Sequence, residues 1–511
     1  MHRHNVRMLR RFPVALLLLL MATAPGVHGQ DALPPAVEEA LRAVGLPADA
    51  LAAVALPLGH GGRVWQHQAR RPFQPGSAMK LVTSIVALDR LGPNHRGFTE
   101  LRSTAPLLDG TLQGQLVLKG GGDVELGPAQ LWALLVDLRQ AGVQHIAGDL
   151  LVDRTRYQPP RMDIGLVPFD TSSEFAYNVI PDALMLNEGL LPLELRATDS
   201  GVQVATVPRV HGITFDSSRM ALVDARCADW DDHWKTATTA RSADGRTLIT
   251  LNGAFPRGCT QRTRLQLVDR AELAERLFRS LWQGLGGTWA GQAREVIDSA
   301  DVPVNSRVLA RRQGRPWGEL LRHLNKASDN AWTRVLFLEL GVLQPDAQTA
   351  AQPSMTTLQR ADAAVRQWLA QQGLDDAGLV LDNGSGLSRS ERISPWLLAQ
   401  MLKAADAGPH AADLQMSLPT VGVDGTMRNR LKTSPAAGWS RLKTGSLRNV
   451  VALAGYVKDP EGRPWVLVAM VNHDILASRS RPVLDALVDH LARHGLQPQA
   501  ARVVGPQGEG P

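Results

Sequence analysis

An α+β protein, with one helix-and-strand unit interrupted by a large strand-rich insert, is the fold class this sequence predicts. Three observations predict it. Apolar residues recur at helical spacing in the first hundred residues after the N-terminus and again beyond residue 316; short strands and one closing helix share the C-terminal part; and from about Phe98 to Ala300 the texture changes to glycine turns and short alternating strands. The chain has 511 residues and is 44% hydrophobic, enough for two or three cores at roughly 100 to 200 residues per domain.

Residues 1–29 come first. Arg3, Arg7, Arg10 and Arg11 precede an apolar stretch from Val14 to Ala22, followed by small residues, the pattern of a cleaved export signal ending after Gly29. The stretch is well short of the ~20 residues that span a bilayer, and no later segment is long enough, so no transmembrane anchor is expected. Loss of the four arginines takes the formal charge from +6 to +2, which removes any warrant for nucleic-acid binding. The two cysteines, Cys227 and Cys259, could pair in an oxidising compartment or remain buried thiols, and no Cys/His cluster points to a metal.

The elements follow in order. Residues 34–44 read as a short helix, and 51–73 as a hairpin with Gly59, Gly61 and Gly62 near its turn. Pro75 and Gly76 break the strand, Ser77 opens a helix with Met79, Val82, Ile85, Val86 and Leu91 on its apolar stripe, and Gly92-Pro93 stops it. Inside the insert, 115–118 reads as a strand and 128–141 as an amphipathic helix. Residues 317–326 and 331–340 read as helices flanking Ser328-Asp329-Asn330. Residues 441–447, 450–457 and 465–471 read as strands and 481–494 as the last helix.

Three short motifs carry chemistry. Ser77-Ala78-Met79-Lys80 places a hydroxyl and an amine three positions apart at a helix start, and a lysine whose pKa is depressed can deprotonate a serine. Alone the pattern is weak, because 24 serines and 8 lysines produce roughly 0.4 such matches by chance. A second match, Ser440 with Lys443, lies in strand context, where spacing of three points side chains to opposite faces. Ser328-Asp329-Asn330 is the only Ser-x-Asn and would, by itself, read as a helix cap. Lys443-Thr444-Gly445 sets a cation and a hydroxyl on a strand beside a residue without a side chain, able to receive a carboxylate at the strand edge. No Walker loop, GxGxxG, HExxH or GxSxG motif occurs.

The order SxxK, SxN, KTG, each in its helix, turn or strand context, is the trio of penicillin-binding proteins and class A β-lactamases. With the stretches DNGSGLSR at 382–389, LPTVGVDGT at 418–426 and KTGSLRNVVALAGYV at 443–457, the chain resembles the D-alanyl-D-alanine carboxypeptidase/endopeptidase family of penicillin-binding protein 4 type. Lys80 and Ser328 stand 248 positions apart, far more than a compact β-lactamase needs. The resemblance implies a transpeptidase-like domain, an antiparallel sheet flanked by helices, at 30–97 and 301–511. It also implies an α/β and β-rich insert at 98–300, with a strand-rich part nested near 192–258. In Gly121-Gly122-Asp123-Val124-Glu125-Leu126 the family usually shows proline after the aspartate, so that turn departs from its pattern.

Roles carried over by the resemblance are these. Ser77 attacks the carbonyl of a D-Ala-D-Ala bond, Lys80 takes its proton, and Ser328 with Lys443 returns a proton to the leaving amine. Asn330 holds Lys80 and the substrate amide, Thr444 with Lys443 binds the terminal carboxylate beside Gly445, and the N–H groups of Ser77 and Ser446 form the oxyanion hole. No metal or cofactor is implied. The expected partners are peptidoglycan stem peptides, with β-lactams as inhibitors, and the expected location is the periplasm. A serine β-lactamase would need a deacylating group such as the class A glutamate, for which no convincing equivalent occurs, and a non-catalytic wall-binding protein would be expected to lose a motif residue.

Overall fold

The structure, a computed structural model, describes residues 31–59, 62–342, 355–475 and 477–496. The expected export signal at 1–29 and Gly61 of the hairpin turn lie outside the described residues. One five-stranded sheet organises the two ends of the chain. Its strands are β1 (Leu51–Pro57), β2 (Trp65–His67), β3 (Arg441–Leu447), β4 (Val450–Lys458) and β5 (Pro464–Asn472), in the order β3-β4-β5-β1-β2, all antiparallel. The expected hairpin is therefore present, with a shorter second strand.

Successive side chains of a strand leave on opposite faces, and here both faces are covered, which is why these strands are nearly continuously apolar. Val451, Leu453, Leu467, Ala469 and Val471 pack with helices α1 (Pro35–Val44) and α7 (Ala477–His494). Their neighbours Ala452, Ala454, Val466, Val468 and Met470 enter a second core with α2 (Lys80–Leu91), α3 (Trp317–Ala327), α4 (Asn330–Val342), α5 (Thr357–Gln371) and α6 (Pro395–Ala407). A one-residue register slip in β4 or β5 would exchange the two cores. No helix among the described residues is long and apolar enough to cross a membrane.

The intervening block has its own core, built on Leu118, Leu134, Val152, Leu193, Phe255 and Phe278 among others. Its larger sheet runs in the order Ala293–Val296, Leu150–Asp153, Leu116–Gly121, Phe98–Ser103, Arg307–Gln313. The last of these strands pairs with Phe98–Ser103, so the sheet continues past the expected limit of 300, because only that strand covers this edge. Two three-stranded sheets occupy 191–265, around the region where a nested strand-rich part was expected. Cys227 and Cys259 are joined there as a disulfide, with Cα atoms 5.3 Å apart. At the turn without proline, Val124 is buried and the Asp123 carboxylate accepts from Arg312 Nε at 2.7 Å.

The block is tied to α4 by a buried carboxylate. Glu339 accepts two hydrogen bonds from Arg156, at 2.8 and 2.7 Å, one from Tyr157 Oη at 2.7 Å and one from His95 Nε2 at 2.8 Å. Burial alone would raise its pKa, but the hydrogen bonds from Arg156 and His95 outweigh it and bring the carboxyl down to about 2. The helix that begins at Asn330 is thus fixed from its far end.

Candidate active site

Ser77 does not open the α-helix. Residues Gly76–Met79 form a 3-10 turn and α2 begins at Lys80. Side chains three apart eclipse in that tighter turn, so Ser77 and Lys80 still meet, and Lys80 Nζ donates to Ser77 Oγ at 3.1 Å. Ala78 and Met79, both fully buried, anchor the turn in the core. Strand β3 lies directly against it: a Cβ on Gly445 would stand 2.2 Å from the Pro75 carbonyl oxygen, and one on Gly76 would stand 3.0 Å from Ser446 N. Gly445 therefore serves a different purpose from the expected one, letting the strand approach the nucleophile's turn, and the backbone N of Ser446 arrives beside that turn as a result.

Lys80 has no exposed surface and three acceptors: Ser77 Oγ, Asn330 Oδ1 at 2.6 Å and the carbonyl of Ser385. Burial lowers its pKa to about 7, against the opposing pull of Asp329 and Glu391 and with a smaller push from Arg334. At neutral pH a sizeable fraction of this amine can accept a proton, as a serine-activating base requires. Asn330 places its other amide end on the Tyr177 carbonyl at 2.9 Å, so the insert helps orient it.

Ser328 ends α3 in the left-handed conformation, at φ +60, an uncommon backbone state for a residue with a side chain. Asp329 then caps α4, accepting from Trp332 N at 2.9 Å. The Ser-Asp-Asn triplet is therefore both a cap and a site: its middle residue starts the helix while the outer two turn towards the lysines. Lys443 Nζ donates to Ser328 Oγ at 2.8 Å and to the Thr444 carbonyl at 2.9 Å. Lys443 is fully buried, and burial, followed by the charge of Lys80, holds its pKa well below the usual lysine value.

All five residues expected to do chemistry, Ser77, Lys80, Ser328, Asn330 and Lys443, thus form two serine–lysine pairs linked by the Ser-Asp-Asn turn. Thr444 shares a hydrogen bond of 2.9 Å with Thr426 Oγ1, from a stretch quoted above only for its resemblance. Sequence reading also missed the Ser385 carbonyl and Tyr177, since backbone carbonyls brought in from distant loops leave no side-chain signature. Ser440 is buried with its hydroxyl unpartnered, away from the role its SxxK pattern would have allowed.

Known proteins share this architecture. Residues 33–494 match the model of the D-Ala-D-Ala carboxypeptidase 3 (S13) family. A D-alanyl-D-alanine carboxypeptidase of Actinomadura sp. (strain R39) is 30% identical over 476 residues, covering 88% of this chain and 83% of the relative. The D-alanyl-D-alanine carboxypeptidase DacB of Haemophilus influenzae is 24% identical over 409 residues, 78% of this chain and 80% of that one. The crystal structure of penicillin-binding protein 4 from Haemophilus influenzae superposes with a TM-score of 0.72 at 21% identity, over 90% of this chain and 99% of that one.

Proposed function

The chain belongs to the D-Ala-D-Ala carboxypeptidase 3 (S13) family, and from that premise we propose how its residues carry out the reaction of a serine-type D-Ala-D-Ala carboxypeptidase on peptidoglycan. One observation carries the reading: Lys80, buried and with its pKa near 7, hydrogen-bonds the Ser77 hydroxyl, while a second buried lysine, Lys443, hydrogen-bonds Ser328.

Ser77 Oγ adds to the carbonyl carbon of the D-Ala-D-Ala bond as its proton passes to Lys80. The N–H groups of Ser77 and Ser446 receive the developing oxyanion, each such donor contributing about 10²–10³ in rate. The C–N bond breaks as Ser328, backed by Lys443, gives a proton to the departing amine. Water then attacks the acyl-enzyme, losing its proton to the same bases, and releases Ser77. Asn330 holds Lys80 and the substrate amide, and Thr444 with Lys443 receives the terminal carboxylate, while Gly445 lets β3 lie against the Ser77 turn. None of these steps calls for a metal or cofactor.

The same site would open D-alanyl cross-links and take β-lactams, whose ring amide and carboxylate mimic the substrate terminus. The Haemophilus influenzae penicillin-binding protein 4 has been crystallised in complex with a novel β-lactam. Residues 1–29 are read as a cleaved export signal, placing the enzyme in the periplasm with stem peptides as substrate. Residues 30–97 and the chain after the Arg307–Gln313 strand are read as the catalytic part, and the stretch from 98 through that strand as the insert. Fluorescent penicillin tests the mechanism: it should label the protein stoichiometrically, the label should persist for minutes, and Ser77→Ala should abolish it. Rapid clearance of excess penicillin with many turnovers per second would favour a β-lactamase instead.

A further inference from the structure

One buried carboxylate near the site has no part in the steps above. Glu391 has no exposed surface, and its Oε1 accepts the backbone N–H groups of Asp382 at 3.3 Å, Asn383 at 3.1 Å and Gly384 at 2.9 Å. Its Oε2 is buried without a hydrogen-bond partner. A protonated carboxyl would put a donor on that oxygen with nothing to receive it, so this geometry fits the carboxylate. Its pKa is raised, because burial, with the charge of Asp382 beside it, outweighs the cradling N–H groups of Asp382, Gly384 and Asn383.

The cradle leads straight to the base. The residue after the three held N–H groups is Ser385, whose carbonyl accepts from Lys80 Nζ. The loop has little room to shift: Thr83 Oγ1 donates to the Gly384 carbonyl at 2.8 Å, and a Cβ on Gly386 would stand 2.0 Å from the Gly76 carbonyl oxygen. The charges that face Lys80 are Asp329 from the turn before α4, Arg334 from α4, Glu391 from this loop and Lys443 from β3. Arg334 is itself buried, with Nη1 on the Val179 carbonyl at 2.7 Å and Nε unpartnered.

We propose that Glu391 is a positioning residue for Lys80: its carboxylate clamps the 382–384 backbone so that the Ser385 carbonyl meets Lys80 Nζ, and its charge, set against Arg334, fixes the pH at which Lys80 becomes able to take the Ser77 proton. The inference rests on Lys80 being the base for Ser77.

The test is the rate of Ser77 acylation by fluorescent penicillin from about pH 5 to 9 in the full chain, for the parent, Glu391→Gln and Glu391→Asp. Glutamine keeps the shape and removes the charge. The acid limb of its profile should move to lower pH, so that at about pH 6 it retains roughly two- to threefold more of its plateau rate than the parent does, as a half-unit shift produces. Aspartate keeps the charge but reaches less far, so its limb should stay at the parent's pH while its plateau falls. An unmoved limb in Glu391→Gln overturns the proposal. If the glutamine variant does not fold, aspartate decides: a displaced limb or an undiminished plateau overturns it, and the predicted pattern supports it. Absence of labelling in the parent would sink the nucleophile assignment itself, and this inference with it.

Discussion

Two serines in this chain stand three residues before a lysine, and their surroundings separate them. Ser77 meets Lys80 in a turn that backs onto β3, whereas Ser440 is buried with no partner for its hydroxyl. Ser77→Ala should lose turnover and penicillin labelling altogether. Ser440→Ala removes an unsatisfied buried hydroxyl, so activity should persist and stability should change by no more than about 1 kcal/mol. Comparable activity in Ser77→Ala and the parent would reject the assignment. The Lys80 pKa near 7 adds a pH prediction with a definite sign. The neutral amine is the active form, so the acylation rate should fall about tenfold per pH unit below that value and level off above it, as a stopped-flow pH series would read.

At the scale of elements, two contacts hold the site's parts in register. Strand β3 reaches the Ser77 turn only because Gly445 has no Cβ, and an added methyl would overlap a backbone oxygen that cannot rotate away. Gly445→Ala should therefore slow acylation at least a hundredfold while costing about 1–3 kcal/mol of stability, measured by labelling rate and by chemical denaturation. The second contact is Glu339 in α4. Its folded pKa of about 2 lies below the ordinary 4.5, so its contribution is fully present above about pH 4.5 and is lost as the pH falls towards 2. Glu339→Gln leaves the partly buried Arg156 without its counter-charge and should cost about 3–5 kcal/mol in urea denaturation. A loss below about 1 kcal/mol would show that the network does not hold the helix.

For the whole molecule, the insert's possession of a core of its own has a consequence. The disulfide joins cysteines 32 positions apart inside the insert, among strands that share no core with Ser77. Thiol counting on the oxidised, denatured protein should find none free. Replacing both cysteines by serine should lower stability by about 2–4 kcal/mol and leave the rate of penicillin acylation within about twofold of the parent. A much larger loss of acylation would mean that the insert orders the site as a whole, beyond the local Tyr177 and Glu339 contacts.

Much of this protein was legible without coordinates, because its signals are local. Periodicity placed α1 to α4 and the closing strands within a few residues, since apolar spacing reflects which face of each element is buried. Motif order marked Ser77, Lys80, Ser328, Asn330 and Lys443, since a serine nucleophile needs a base and a proton donor of those types. What only the tertiary structure decided were distances between backbone groups far apart in the chain. Ser385 and Tyr177 contribute carbonyls, which every residue possesses, so no residue type could announce them. Gly445 looked like a gap for substrate and proved to be a gap for the Pro75 carbonyl, because a missing side chain does not reveal what fills its space. The depression of both lysines likewise arises first from burial, and burial belongs to the assembled fold and to no single segment of the chain.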